Sequence, residues 1–367
     1  MSDVPRPTWS ASAPTRTALT GVRVFDGRQL SEPSTVVIDG PILGTDPTGA
    51  EVIDAAGAIL LPGLIDAHIH LHDVETLRQL AAYGVTTGLD MGCWPPERVA
   101  SLRNQPGVTD IRSAGLPIIG PGGMHATFVP SEAIIHEPGQ AKQQVADRIA
   151  GGCDYVKIVA EAPGKGGPDQ ATLDALVIAA HEAGKKVVVH ATAAGAYVMA
   201  LDAGADMITH VPLDRPLNPD EVELMVSGTR IVIPTLTVAQ AIASVRPGVS
   251  TAAGSQSVGA LHAAGVPVLA GTDANSQPGV PFEIRHGESL HRELALLVDA
   301  GLSTVDALRA ATVLPARHFG LSDRGAVAPG LRADLVLIDG DPLADITATR
   351  NIRRIWCGGS EVQPANG

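Results

Sequence analysis

The chain has 367 residues, 45% apolar and 3% aromatic, with 26 basic residues against 39 acidic ones for a formal charge of −13. That length can bury a large core of Val, Leu, Ile and Ala, and the lack of any Lys/Arg cluster argues against nucleic acid as a partner. No run of 18 apolar residues and no basic-then-apolar leader occurs, so neither a membrane partner nor secretion is expected.

In chain order, residues 1–17 read as a flexible N-terminal arm. Residues 18–60 hold short β runs broken by Gly and Asp, "LTGVRVFDG", "STVVIDGPILG" and "EVIDAAGAIL". From 61 to 321 the pattern changes to alternating strands and helices. Strands are expected at 64–70, 84–90, 115–120, 154–160, 185–191, 206–211, 230–236 and 265–273, with helical runs such as "QATLDALVIAAHEAG" between them. Eight such units are what a (β/α)8 TIM barrel requires, with a doubly wound open sheet as the competing arrangement. Residues 322–362 return to β-type runs, and the two ends are expected to join in one small β-sandwich domain. Cys93, Cys153 and Cys357 are odd in number and far apart, which fits a cytoplasmic protein rather than a disulfide scaffold.

Several expected strands finish in a residue that can bind a metal or move a proton. These are His68 and His70, Lys157, His190, His210 and Asp273. In "LPGLIDAHIHLHD" extended chain sends His68, His70 and His72 to one face. A barrel gathers all its strand ends around one opening. Each residue also has an ordinary reading: a surface histidine, an outward lysine, or an aspartate capping a turn. Lys157 is the odd member, because an ammonium among apolar neighbours is costly unless paired. Imidazoles and carboxylates suit Zn²⁺ and related divalent ions, which acidify bound water, and an aspartate beside that water can relay its proton.

Taken in order, "PGLIDAHIH", "VKI", "VVVHA", "ITHV", "AGTDAN" and the tail "ALRAATVLPARHFGLSDRGAVAPGLRADLVLIDGDPL" resemble the metal-dependent amidohydrolase superfamily over nearly the whole chain. The branch they are most similar to is the imidazolonepropionase-like and prolidase-like one, which includes an ochratoxin-hydrolysing amidase. The resemblance implies two divalent ions, with zinc expected, bridged by an N6-carboxylated Lys157. His68, His70 and Asp273 would complete one site, and His190 and His210 the other. A bridging hydroxide would attack the substrate, with Asp273 as proton shuttle. "GPGGMHAT" (120–127) resembles a glycine-rich segment of that branch, which makes His125 a second catalytic candidate, beside the substrate carbonyl. Arg285, His286 and His291, in "PFEIRHGESLHRELALLVDAG" (281–301), become candidate substrate contacts.

The expected activity is hydrolysis of an amide, peptide-like or carbamate C–N bond in a small molecule, by a homo-oligomer. An esterase or lactonase using the same ions, and a silent scaffold of the same fold, are the alternatives. Other motifs fail: "APGKGG" lacks the spacing and the Ser/Thr of a phosphate loop, "HEPGQ" and "HEAGK" lack a second zinc-binding histidine, and Cys93 has no evident activating base.

Overall fold

Runs rich in Val and Ile form strands because branched side chains pack well on a pleated surface. The computed structural model describes residues 16–246, 249, 251–276 and 282–365. The expected N-terminal arm lies outside the described residues as far as residue 15, and Thr17 already opens a strand. The strands are β1 (Thr17–Val24), β2 (Ser34–Asp39), β3 (Ile42–Gly44), β4 (Glu51–Asp54), β5 (Ile59–Pro62), β6 (Leu64–Ile69), β7 (Val85–Asp90) and β8 (Asp110–Ser113). They continue with β9 (Ile118–Ile119), β10 (Val156–Val159), β11 (Val187–His190), β12 (Met207–Thr209), β13 (Ile231–Ile233), β14 (Leu335–Ile338), β15 (Ile352–Cys357) and β16 (Ser360–Val362).

Strands β6, β7 and β8 pair in parallel, as do β9 to β13 in sequence order. Residues 268–274 close the ring. Leu269 N donates to Val232 O at 2.9 Å on one side, and Ala67 N donates to Ala270 O at 2.8 Å on the other. The result is the expected TIM barrel, with helices outside. Its interior is a layer of Ile65, Leu89, Tyr155, Val188, Met207, Ile231 and Leu269, while a larger apolar cluster fills the space between strands and helices.

The third barrel strand departs from expectation. It begins at Asp110, not 115, and is broken between β8, which pairs with β7, and β9, which pairs with β10. Gly115 at φ +65° and Pro117 interrupt it. "DIRS" reads as polar because Asp110 and Arg112 face each other across a 3.1 Å ion pair, while Ile111 and Ser113 are buried.

The two chain ends share one mixed sheet of order β16-β15-β14-β5-β1-β2-β3, with β4 also on β1. The junction is β14 running antiparallel to β5, Leu335 opposite Pro62. Arg324 ties this sheet to the barrel floor. Its side chain is 4% exposed, with Nη1 2.8 Å from Asp110 Oδ2, 2.9 Å from Thr87 Oγ1 and 3.8 Å from Asp334 Oδ2. Removing one partner from a buried ion network strands the others without solvent. Arg324→Leu is expected to lower unfolding free energy by about 3–5 kcal/mol. Urea denaturation checks this, and a loss below ~1 kcal/mol would mean that Asp110 and Asp334 are satisfied without it.

Candidate metal centre

A register shift in the β6–β7 pairing between Asp66 and Ile69 resets the strand's alternation. Ile65 and Ala67 pack into the barrel interior, and after the shift His68 and His70 reach the same opening. His68 Nε2 and His70 Nε2 lie 3.1 and 3.0 Å from the same oxygen, Asp273 Oδ1. From there the rings form a chain, with centroids 4.9 Å apart for His68 and His210, 4.3 Å for His210 and His190, and 4.5 Å for His190 and His125. Ligand atoms of His68, His210 and Asp273 all lie within 4.8 Å of one another, a spacing one cation can span. His72, the third histidine of the opening motif, is exposed.

Three of the rings are held from behind. His70 Nδ1 donates to Gly92 O at 3.2 Å, His68 Nδ1 bonds Thr209 Oγ1 at 2.6 Å, and His210 Nδ1 bonds Thr235 Oγ1 at 2.7 Å. Bonds of this kind fix ring orientation and leave Nε2 for a metal. The backbone is bent to the same end. His210, Thr235 and Asp273 hold φ of 71°, 50° and 59°, a left-handed conformation rare outside Gly and characteristic of functional sites.

Burial sets the charge states. It pushes His68 down to about 3, drives His190 and His210 well below the usual histidine range, and brings Lys157 down to about 7. Burial opposes a cation at His70 as well, but the Asp273 bond prevails and raises its pKa. Burial likewise works against the Asp273 carboxylate, yet the facing His68 and His70 hold it well below the carboxylate range. Neutral imidazoles beside an anionic carboxylate are the form in which these groups bind cations.

Among the described residues five buried side-chain atoms have no hydrogen-bond partner, those of Thr86, Arg148 and Arg230 outside the cluster and Lys157 Nζ and His190 Nε2 within it. Such orphans are uneconomical in a closed core, and the last two belong to the predicted ligand set. The donor set of imidazoles, carboxylate and a convertible lysine fits divalent metal.

His125 also joins the cluster. It sits on a 3-10 turn, His125–Thr127, its ring against His190 and Nδ1 2.9 Å from Glu161 Oε1. The His125 bond holds Glu161 below its ordinary pKa. Glu161 carried no signal in the sequence. Two glycine-rich loops bring this pair together. A Cβ on Gly120 would strike the backbone of Gly167 and Pro168, and one on Gly166 would strike Gly122 and Gly123. "APGKGG" is thus half of a backbone interlock.

The three candidate substrate contacts stand elsewhere. Arg285 is exposed and paired with Glu283 and Glu288 at 3.5 and 3.3 Å. His286 donates from Nε2 to His70 O at 2.9 Å, supporting the backbone where β6 ends. His291 is spent on Thr349 Oγ1 and Tyr83 O, both at 3.0 Å. Alternation and loop position give no measure of such partners, because Thr349 and Tyr83 lie 58 and 208 residues away. Cys93 is buried and pushed up to about 12 by burial, the opposite of an activated thiol.

The chain's architecture has many counterparts. A Xaa-Pro dipeptidase with bound methionine superposes with a TM-score of 0.80 at 22% identity, over 95% of this chain and 99% of that one. Ochratoxinase of A. niger gives 0.77 at 16%, over 95% and 96%. At these identities the likeness is one of fold. In sequence, adenine deaminase of Desulfatibacillum aliphaticivorans is 27% identical over 351 residues, covering 93% of this chain, which spans only 56% of that enzyme's length. An uncharacterised Mycobacterium tuberculosis protein is 29% identical over 341 residues, 83% of this chain and 85% of its own length. The profile of the Amidohydrolase family matches residues 59–362. With that match spanning the barrel and half the strands of the small sheet, and with a metal-ligand group at the strand ends, the chain is an enzyme of the Amidohydrolase family.

Proposed function

We propose that the enzyme hydrolyses an amide, peptide-like or carbamate C–N bond of a small molecule at a centre for two divalent ions, with zinc the expected species. The observation that carries this reading is the pair of orphaned atoms, Lys157 Nζ and His190 Nε2, beside the His68, His210 and Asp273 group. A lysine brought down to about 7 by burial offers a neutral amine at ordinary pH. Its nitrogen can add to CO2 and lose a proton, and the N6-carboxylated side chain then presents anionic oxygens in place of an unpaired donor. In that form Lys157, with His68, His70 and Asp273, would hold one ion, and with His190 and His210 the second. Such ions supply a polarised substrate carbonyl and an acidified water.

The chain's own residues complete the cycle. Asp273 takes the proton of the attacking water and returns it to the departing nitrogen. His125 Nδ1 donates to the Glu161 carboxylate, and a ring carrying protons on both nitrogens would leave Nε2–H to donate to the substrate carbonyl and the charge that grows on it. A second reading, removal of a ring amino group, draws on the likeness to adenine deaminases. The near-equal length of this chain and the dipeptidase favours the first. Esters and lactones remain the alternative substrates of the same centre. We further infer a homo-oligomer in a reducing, cytoplasmic setting, on the frequency of symmetric assemblies and three buried free cysteines. No described helix is long and apolar enough to cross a membrane.

Metal analysis of protein purified without added metal should give about two ions per chain, and the mass should fall by roughly 44 Da on denaturation as CO2 leaves Lys157. One ion without a mass change would remove Lys157 from the centre, and no ion even after reconstitution would defeat the metal reading. Lys157→Met is expected to abolish both the mass difference and turnover. In a screen of N-acyl amino acids, dipeptides, carbamates, esters and adenine, the substrate found should separate the readings.

Two substitutions test the proton and carbonyl roles. Asp273→Asn should lower kcat by about 10²–10⁴-fold. His125→Gln should cost about 10²–10³-fold in kcat with KM little changed, the pattern of a group that acts chiefly in the transition state. An equal loss in KM alone would make His125 a ground-state contact instead.

A further inference from the structure

The helix Leu236–Val245, which follows β13, begins in an unusual way. A Thr at the N-cap ordinarily takes an extended backbone and turns its hydroxyl onto the first-turn N–H groups. Thr235 is the N-cap here, but it is left-handed, with φ 50° and ψ 51°, and its side chain makes no capping bond. Its Oγ1 lies instead 2.7 Å from His210 Nδ1. The orphaned N–H groups are met from a different helix. Glu293, on Glu288–Asp299, accepts Leu236 N at 2.8 Å on one oxygen, and Thr237 N and Thr237 Oγ1, both at 2.7 Å, on the other.

We infer that Glu293 is a positioning residue for His210: it caps Leu236–Val245 in place of Thr235 and so frees the Thr235 hydroxyl to orient the His210 ring. This rests on His210 serving as a metal ligand. The reasoning is one of competition. A threonine oxygen that accepts from His210 Nδ1 cannot also serve the helix start well, and a helix start without an acceptor would draw it back. Glu293 supplies two acceptor oxygens at the positive end of the helix where Thr235 has one, which makes it the stronger cap, although burial raises its pKa to about 7. Glu293 is 0% exposed. Burying a carboxylate is costly, and three donors within 2.8 Å offset that cost. The relation also accounts for the left-handed Thr235, which brings its hydroxyl to the histidine rather than to its own helix.

The test titrates chelator-stripped protein with Zn²⁺ in competition with a chromophoric chelator. Glu293→Ala should weaken Zn²⁺ binding by about 10–100-fold, the usual effect of losing the group behind a ligand. Thr235→Val, which leaves the Glu293 cap intact, should give the same loss, and the double variant little more than either alone, since both act through one bond. Thr235→Ser should restore wild-type affinity. Unchanged affinity in either single variant, or full additivity in the double, would overturn the inference. A crystal structure of Glu293→Ala reads the relation without metal: Thr235 Oγ1 should leave His210 Nδ1 for the first turn of its helix. A hydroxyl still on His210 overturns the proposal. Wild-type protein that binds no Zn²⁺ defeats the metal reading, and that structure then decides the capping relation alone.

Discussion

The barrel closes on Asp66. This carboxylate is fully buried between the first strand and the last, accepting Thr272 N at 3.1 Å, Thr272 Oγ1 at 2.7 Å and His68 N at 3.1 Å. Burial pushes its pKa up to about 7, against those bonds. Those three donors hold the two strands at one register. The same register has Asp273 N donating to His68 O at 2.8 Å, which sets the Asp273 carboxylate against His68 and His70. Ligands 205 residues apart in sequence become neighbours because a buried acid takes its donors from both strands.

Desolvation then does two jobs with one cause. Inside the ring it keeps three imidazoles neutral and brings Lys157 down to about 7, where the neutral amine is accessible. Those are the protonation states a cation requires, and for the lysine also the state that reacts with CO2. Asp273 stays anionic against burial, 3.1 Å from the neutral His68 and 3.0 Å from His70, whose pKa the same contact raises. A more solvated opening would leave Lys157 an ammonium and the centre unable to gather charge around it.

The strand-end residues were legible in sequence because period-two alternation and barrel topology act on any chain of this pattern. His68, His70, Lys157, His190, His210 and Asp273 all meet at one opening, and His125 with them. The residues behind them were not legible. Glu161 reaches across 36 residues through one hydrogen bond and Glu293 across at least 56 through three, and a glutamate at 0% exposure looks in sequence like any helix-surface acid. Arg285, a candidate substrate contact by its place in the loop, has two glutamates within reach that its position in the sequence does not weigh. The broken third strand was hidden by an internal Asp110–Arg112 pair that makes a buried segment read as polar.

The left-handed residues tie these levels together. His210, Thr235 and Asp273 each sit where a strand of the barrel turns away from the opening. An ordinary extended exit would carry the next side chain outward by alternation; a left-handed step turns it back over the barrel mouth. The cost of that conformation in β-branched and carboxylate side chains is about 1–3 kcal/mol per residue, and the neighbouring bonds must repay it. Asp273 is repaid by two imidazoles and Thr235 by His210, while the helix that Thr235 no longer caps is repaid by Glu293. Each strained residue therefore depends on a bond to another element. The geometry of the centre is held collectively, and loosening one supporting carboxylate should be felt at the metal ligands rather than in the stability of the barrel as a whole.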